Sequence, residues 1–278
     1  MTLILTCLTQ DHIIQVVDRR VTSAGGALKD DDTNKAVFYC GGSFNFAVAY
    51  TGPDEMGGEP TAKWIGGCIK DIPLINKAMR TVAEPAEIIF RRNVPCKFAV
   101  VATGWRTDNP AQPIQPYVAL ASNFVTTSGK WQDFASDHMI VQGGYPLKNS
   151  SSFIFSAGQN LWPQEEAHLK VNVDRVVKSN TAATSIARIL GDTIQAIANG
   201  RDERAKKVGK GMITHLLPRK AALNKSDILV VMAGLTPDAY SFAYVSSDGR
   251  TDPSKSAWHA CNGFLIEFEG GSFPRRSK

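Results

Sequence analysis

The spacing of apolar residues changes period repeatedly along this chain, and the resulting order of blocks constrains the fold more than any other feature of the sequence. Four short stretches open it, Leu3 to Leu8, Ile13 to Val17, Ala36 to Cys40 and Phe44 to Tyr50. They are rich in β-branched and aromatic residues, and polar or glycine breakers such as Gln10-Asp11 and Gly41-Gly42 separate them, so two consecutive hairpins are predicted. Over Ala62 to Asp71 and Leu74 to Phe90 the spacing becomes helical, as in Ile75, Met79, Val82 and Ala86. Pro85 predicts a kink or break there, because it has no backbone donor. Strands return at Lys97 to Thr103, Tyr117 to Val125, Met139 to Gln142 and Phe153 to Phe155. Helices are predicted at Pro163 to Leu169 and Ala182 to Ala198, the second carrying an apolar stripe from Ile186 to Ile197 and an Asn199-Gly200 stop signal. Runs at Met212 to Leu217, Ile228 to Met232, Tyr240 to Val245 and Phe264 to Phe268 close the chain with strands.

Segregated blocks of this kind predict an α+β chain rather than the strict alternation of a doubly wound parallel sheet. Two antiparallel sheets packed together, with a helical layer outside each, use the order best. A length of 278 residues allows one domain or two. No repeat, low-complexity tract or linker-like stretch divides the chain, so a single domain over 1–278 is expected. Gly104 to Pro116 and Ser246 to Ser256 read as surface loops.

Charge and motif content narrow the function. Arg275, Arg276 and Lys278 supply most of the formal charge of +5, and the remaining +2 gives no reason to expect nucleic acid. The longest strongly apolar run, Ile228 to Leu235, is far short of the roughly 20 residues a helix needs to cross a bilayer, so no membrane is expected. The apolar start, Met1 to Thr9, has no basic residue ahead of it and reads as a strand rather than a signal peptide. Cys7, Cys40, Cys68, Cys96 and Cys261 are odd in number and form no C-x-x-C pair, which fits free thiols in a cytoplasmic protein. His259-Ala260-Cys261 alone is too little for zinc, and no metal or cofactor is expected. The lysines of Gly129-Lys130-Trp131 and Gly209-Lys210-Gly211 lack the flanking residues of a phosphate loop. Gly41-Gly42-Ser43-Phe44-Asn45 fails the last position of a serine nucleophile elbow.

The N-terminal segment carries the one informative pattern. Thr2-Leu3-Ile4-Leu5-Thr6 opens a strand, a second ends in Val17-Asp18-Arg19-Arg20-Val21-Thr22, and Asn34-Lys35-Ala36-Val37 leads into a hairpin ending at Ala49-Tyr50-Thr51-Gly52. This resembles the proteasome β-subunit branch of the N-terminal-nucleophile (Ntn) hydrolases. In that family an exposed terminal threonine is followed by a strand ending in an acid-Arg-Thr motif, and a lysine begins the next strand. Thr2 and Asp18 have the family's spacing, and a one-residue insertion between Gly25 and Asn34 accounts for the position of Lys35. The resemblance implies a four-layer αββα sandwich over about residues 2 to 235, with about 236–278 as an extension atypical of the family.

A threonine hydroxyl needs a base, and a terminal residue carries one with it in its own α-amino group. The reference pKa of that amine, about 7.7–8.0, leaves a usable basic fraction, and a neighbouring ammonium such as that of Lys35 lowers it further. Asp18 is expected to hold Lys35 and balance its charge, and the Ala49 N–H to donate to the oxyanion. The scheme requires removal of Met1, which aminopeptidase action on a Met-Thr bond supplies. The resemblance adds Asp202, from Arg201-Asp202, as a support for the nucleophile, and places Thr22 and Thr51 along the substrate cleft. On the residues alone, Thr22 and Thr51 read equally well as β-favouring residues on a sheet edge. Two serines of the family are replaced here by Ala157 and Ala205, with Ser156 or Gln159 as the available substitutes.

The expected function is therefore a threonine-type hydrolase acting on a peptide or a small amide. The alternative is a catalytically inactive assembly or scaffold subunit. The resemblance implies a homo-oligomer, and nothing in the sequence identifies a partner ATPase.

Overall fold

The computed structural model describes residues 2–22, 27–30, 33–41, 44–106, 113–147, 150–179, 183–219, 241–245, 257–261 and 264–268. The chain is α+β. It begins with β1 (Leu3–Thr9), β2 (His12–Asp18), β3 (Val21–Thr22), β4 (Leu28–Asp30), β5 (Ala36–Gly41), β6 (Phe44–Thr51), β7 (Glu55–Met56) and β8 (Glu59–Pro60). Two helices follow, α1 (Thr61–Ile69) and α2 (Ile75–Arg92), then β9 (Ala99–Arg106), β10 (Gln115–Ser122), β11 (Ile140–Gly144) and β12 (Ser152–Gly158). After α3 (Pro163–Lys178) and α4 (Ala183–Ala198) come β13 (Met212–Pro218), β14 (Ser241–Val245), β15 (Ala257–Cys261) and β16 (Phe264–Phe268).

Both expected hairpins form, β1 with β2 and β5 with β6. In the first turn the Thr9 hydroxyl donates to the His12 carbonyl at 3.0 Å and accepts from the His12 N–H at 2.9 Å, fixing the reversal. The five-stranded sheet runs β12-β1-β2-β13-β14 and the seven-stranded sheet β11-β10-β9-β6-β5-β15-β16. Residues from about 236 onward, expected as an extension, supply β14 to one and β15 and β16 to the other.

Side chains alternate between strand faces, and that sorts the core. From β1 and β2, Leu3, Leu5, Ile14 and Val16 pack with Ile186, Leu190 and Ile194 of α4. Their neighbours Ile4 and Val17, with Ile213 of β13, meet Ala49, Val101 and Leu120 of the other sheet. On that sheet Val48, Tyr50, Val100 and Ala102 pack with Ile65 of α1 and Met79 and Val82 of α2. The Trp105 indole N–H donates to the Leu217 carbonyl at 3.0 Å, a polar tie between the sheets.

The structure departs from the sequence reading at several places. α2 continues through Pro85, because Met79, Val82, Ala83, Ala86 and Phe90 are buried on both sides of it and their packing outweighs one lost backbone hydrogen bond. α3 runs to Lys178, well beyond Leu169; it buries only Leu169 and Val173, too sparse a stripe to define its length. β12 extends to Gly158 because it pairs with β1 along its whole length. Trp258↔Val37 pairing is parallel, so the seven-stranded sheet is mixed rather than purely antiparallel, and His259-Ala260-Cys261 lies in a strand. Of the loop expected at 104–116, Gly104 and Trp105 pair with Tyr117 and Pro116. Residues 107–112, 228–232 and 246–256 lie outside the described residues. No helix among the described residues is long and apolar enough to cross a membrane.

Leu190 is fully buried, whereas Val171 on α3 is 55% exposed. Leu190→Ala is expected to lower the unfolding free energy by about 2–5 kcal/mol. Val171→Ala should stay within about 0.5 kcal/mol of the parent in the same urea titration.

Candidate active site

The site grows from the open end of the first hairpin. The register Ile4↔Val17 brings Leu3 opposite Asp18, and the Leu3 N–H donates to Asp18 Oδ2. The other carboxylate oxygen accepts from the Arg20 N–H at 3.0 Å and from the Gly209 N–H at 3.1 Å. Asp18 is fully buried. Burial pushes its carboxyl above the ordinary range, against the opposing pull of the Lys35 ammonium and the three backbone donors.

Lys35, buried just ahead of β5, donates to Thr2 Oγ1 and to the Arg20 carbonyl. The Thr2 nitrogen donates to Thr51 Oγ1 at 3.1 Å, and the Thr2 carbonyl accepts from the Gln159 N–H at 3.0 Å. Every polar atom of Thr2 is thus held, each from a different part of the chain. β12 comes this close because position 158 is glycine. Its φ is +87°, and a Cβ there would lie 1.9 Å from the Thr2 carbonyl oxygen.

Thr2, Asp18, Lys35 and Thr51 therefore meet, whereas the other residues singled out in the sequence lie elsewhere. Ala49 is buried within β6. The Tyr50 N–H donates to the Lys35 carbonyl at 3.1 Å, so antiparallel alternation turns the Ala49 N–H the other way, towards its partner Val101 on β9. Thr22 is half-buried in the small β3–β4 ribbon, paired with Leu28. Among the described residues the Asp202 carboxylate binds Arg204 and the Ala205 N–H, not Thr2. Ala157 packs in the apolar cluster between the sheets. The side chains of Ser156 and Gln159 make no hydrogen bond to Thr2 among the described residues.

One residue the motif reading passed over stands beside this group. Gly52 leaves β6 two positions after Tyr50, on the same edge as Lys35, with φ +144°. A Cβ there would lie 2.8 Å from the Phe98 ring and 3.0 Å from the Lys97 carbonyl. No described residue accepts from its N–H. A glycine directly after Thr51 was the available sequence signal. Cys7, five residues along β1, is excluded as a nucleophile at neutral pH, since burial pushes its thiol up to about 12.

No protein-family model and no curated protein matches the sequence. Among solved structures the chain is similar to a Gly-1 mutant of Anbu from Hyphomicrobium sp. strain MC1, with TM-score 0.52 and 11% identity over 90% of this chain and 89% of that one. It is also similar to Anbu from Yersinia bercovieri, described as an ancestral β-subunit, with TM-score 0.52 and 8% identity over 89% and 88% of the two chains. Identities this low bear on the fold alone, and the fold is consistent with the proteasome-like Ntn type expected from the N-terminal motifs.

Gly158 and Gly129 share a left-handed φ, +87° and +81°, but only Gly158 has backbone where a Cβ would sit. Gly129→Ala should cost about 1–2 kcal/mol, the conformational penalty alone. Gly158→Ala should cost clearly more in the same denaturation experiment, because β12 must also move away from Thr2.

Proposed function

We propose that this chain is an amide-bond hydrolase of the N-terminal-nucleophile class, with Thr2 as nucleophile once residue 1 is removed. The observation that carries this reading is the hydrogen bond from a buried lysine, Lys35, to Thr2 Oγ1, with Asp18 beside it. Removing residue 1 converts the Thr2 nitrogen into an amine that takes the proton from its own hydroxyl. Oγ1 bonds to the substrate carbonyl carbon as the carbonyl electron pair moves onto oxygen. Lys35 stabilises the charge developing at Oγ1, and the Gly52 N–H, rather than that of Ala49, donates to the oxyanion. Collapse of the intermediate breaks the C–N bond, and the leaving amine takes the proton held by the Thr2 ammonium. Water then hydrolyses the ester with the same amine as base. Thr51 orients that amine through its Oγ1.

The core clusters support reading the layers as a four-layer αββα sandwich in one domain. A peptide or small amide is the substrate class that suits this chemistry, and self-assembly of identical copies is the form it would take. Alanines 157 and 205, where the resembled family has serines, favour a second reading, a scaffold subunit that keeps the fold without catalysis.

Intact mass after treatment with a β-lactone or an epoxyketone decides between them. One adduct per chain, lost in Thr2→Ala, is the expected result. Lys35→Met should slow adduct formation by about 10²–10³-fold, the usual range for loss of one group that stabilises developing charge. A folded wild type lacking residue 1 that takes no adduct establishes the scaffold reading instead.

A further inference from the structure

Two irregular segments complete the surroundings of Thr2 and Asp18. One follows β12 and brings the Gln159 N–H to the Thr2 carbonyl. The other follows α4, brings the Gly209 N–H to Asp18, and holds Arg19 and Arg20: the Gly211 carbonyl accepts the Arg19 N–H at 3.0 Å, and the Ala205 carbonyl accepts the Arg20 guanidinium at 2.9 Å. Neither segment belongs to a helix or strand; within the second, turn hydrogen bonds such as that from the Val208 N–H to the Arg204 carbonyl at 2.9 Å fold the loop on itself.

Arg204 joins them. Its guanidinium grips both oxygens of Glu165, at 2.6 and 2.9 Å, near the start of α3. It also binds Asp202 in its own loop, at 2.7 and 3.0 Å, and reaches the Asn160 carbonyl at 3.5 Å. Its charge lies 3.6 Å from the centre of the Trp162 ring, and only 11% of the side chain is exposed. A tryptophan left 50% exposed is accounted for by the cation it covers. Bidentate pairing and stacking at once are within reach of a guanidinium and not of a lysine ammonium.

We infer that Arg204 is a positioning residue, a clamp that locks the segment carrying Gln159 to the loop carrying Gly209 and so fixes the backbone donors on Thr2 and Asp18. This rests on the reading of Thr2 as the nucleophile. Asp202, placed at the nucleophile by its motif, then acts on it through Arg204 and the loop rather than by contact.

The test combines hydrogen exchange by mass spectrometry with β-lactone inactivation of the full chain. In Arg204→Met, peptides covering Gln159 and Gly209 should exchange at least about tenfold faster, with β10 unchanged, because only the local unit is released. The maximal inactivation rate should fall by about ten- to a hundredfold at nearly constant inhibitor affinity, the pattern of a misplaced rather than a missing group. Arg204→Lys should recover only part of both. Wild-type exchange at the two segments in Arg204→Met overturns the clamp. If the wild type takes no adduct, the nucleophile reading fails, and exchange still decides the clamp. If Arg204→Met does not fold, the same exchange measurement on Glu165→Gln decides it.

Discussion

The candidate site depends on one buried carboxylate. Isolating Asp18 from water carries a penalty of several kcal/mol, which a protein offsets only with a counter-charge and well-aimed donors. Lys35 supplies the charge, and the amides of Leu3, Arg20 and Gly209 supply the donors. These amides come from the start of β1, the exit of β2 and the loop after α4, so satisfying one side chain requires three distant segments to converge. The lysine drawn in by that carboxylate is the group that reaches Thr2 Oγ1. The requirement of charge burial and the placement of a possible nucleophile are thus one arrangement.

Most of the remaining contacts at the site are made by backbone, which needs close approach. Gly209 allows it on one side, since a Cβ there would lie 2.7 Å from Arg20 Cβ; Gly158 allows it on the other. Backbone donors fixed in this way lose no side-chain rotamer freedom when a charge develops near them, which is the property that electrostatic preorganisation requires. The arrangement is then only as rigid as the segments that carry the glycines. Gly158 is the last residue of β12 and Gly209 lies in the loop after α4, so the order of the chain beyond each has to come from tertiary ties.

Much of this was legible in sequence, for physical reasons that differ by residue. β1, β2, β5 and β6 were found because β-branched residues at period two between turn breakers leave few other readings. Thr2, Asp18 and Lys35 were picked out because their types and order along the two hairpins resemble those of the proteasome β-subunit branch. The direction of an N–H is not a property of spacing: Ala49 was chosen by position, and only the Lys35–Tyr50 pairing reveals that it faces β9. Thr51 was placed at the site, but as cleft lining rather than as the acceptor from the Thr2 nitrogen. Arg204 left no signal, since it lies in a loop far along the chain from Glu165 and Trp162, and no local pattern reveals that they meet. The parallel pairing of β15 with β5 joins segments more than two hundred residues apart, beyond the reach of local pattern.

A nucleophile at a chain terminus faces a general difficulty, because terminal residues fray unless tied down. Here β1 is flanked on both sides, by β12 from Leu3↔Gly158 to Thr9↔Ser152 and by β2 from Ile4↔Val17 to Leu8↔Ile13. Its alternate faces are buried in two different apolar clusters, so a shift of one residue would exchange Leu3 and Leu5 with Ile4 and Thr6. Register is therefore set along the whole strand and delivered just ahead of it, where Thr51, Lys35 and Gln159 fix the nitrogen, the hydroxyl and the carbonyl of Thr2. Freeing the amine by loss of residue 1 would leave those three contacts in place. The strand that leads from Thr2 is in this way paired on both sides in its sheet.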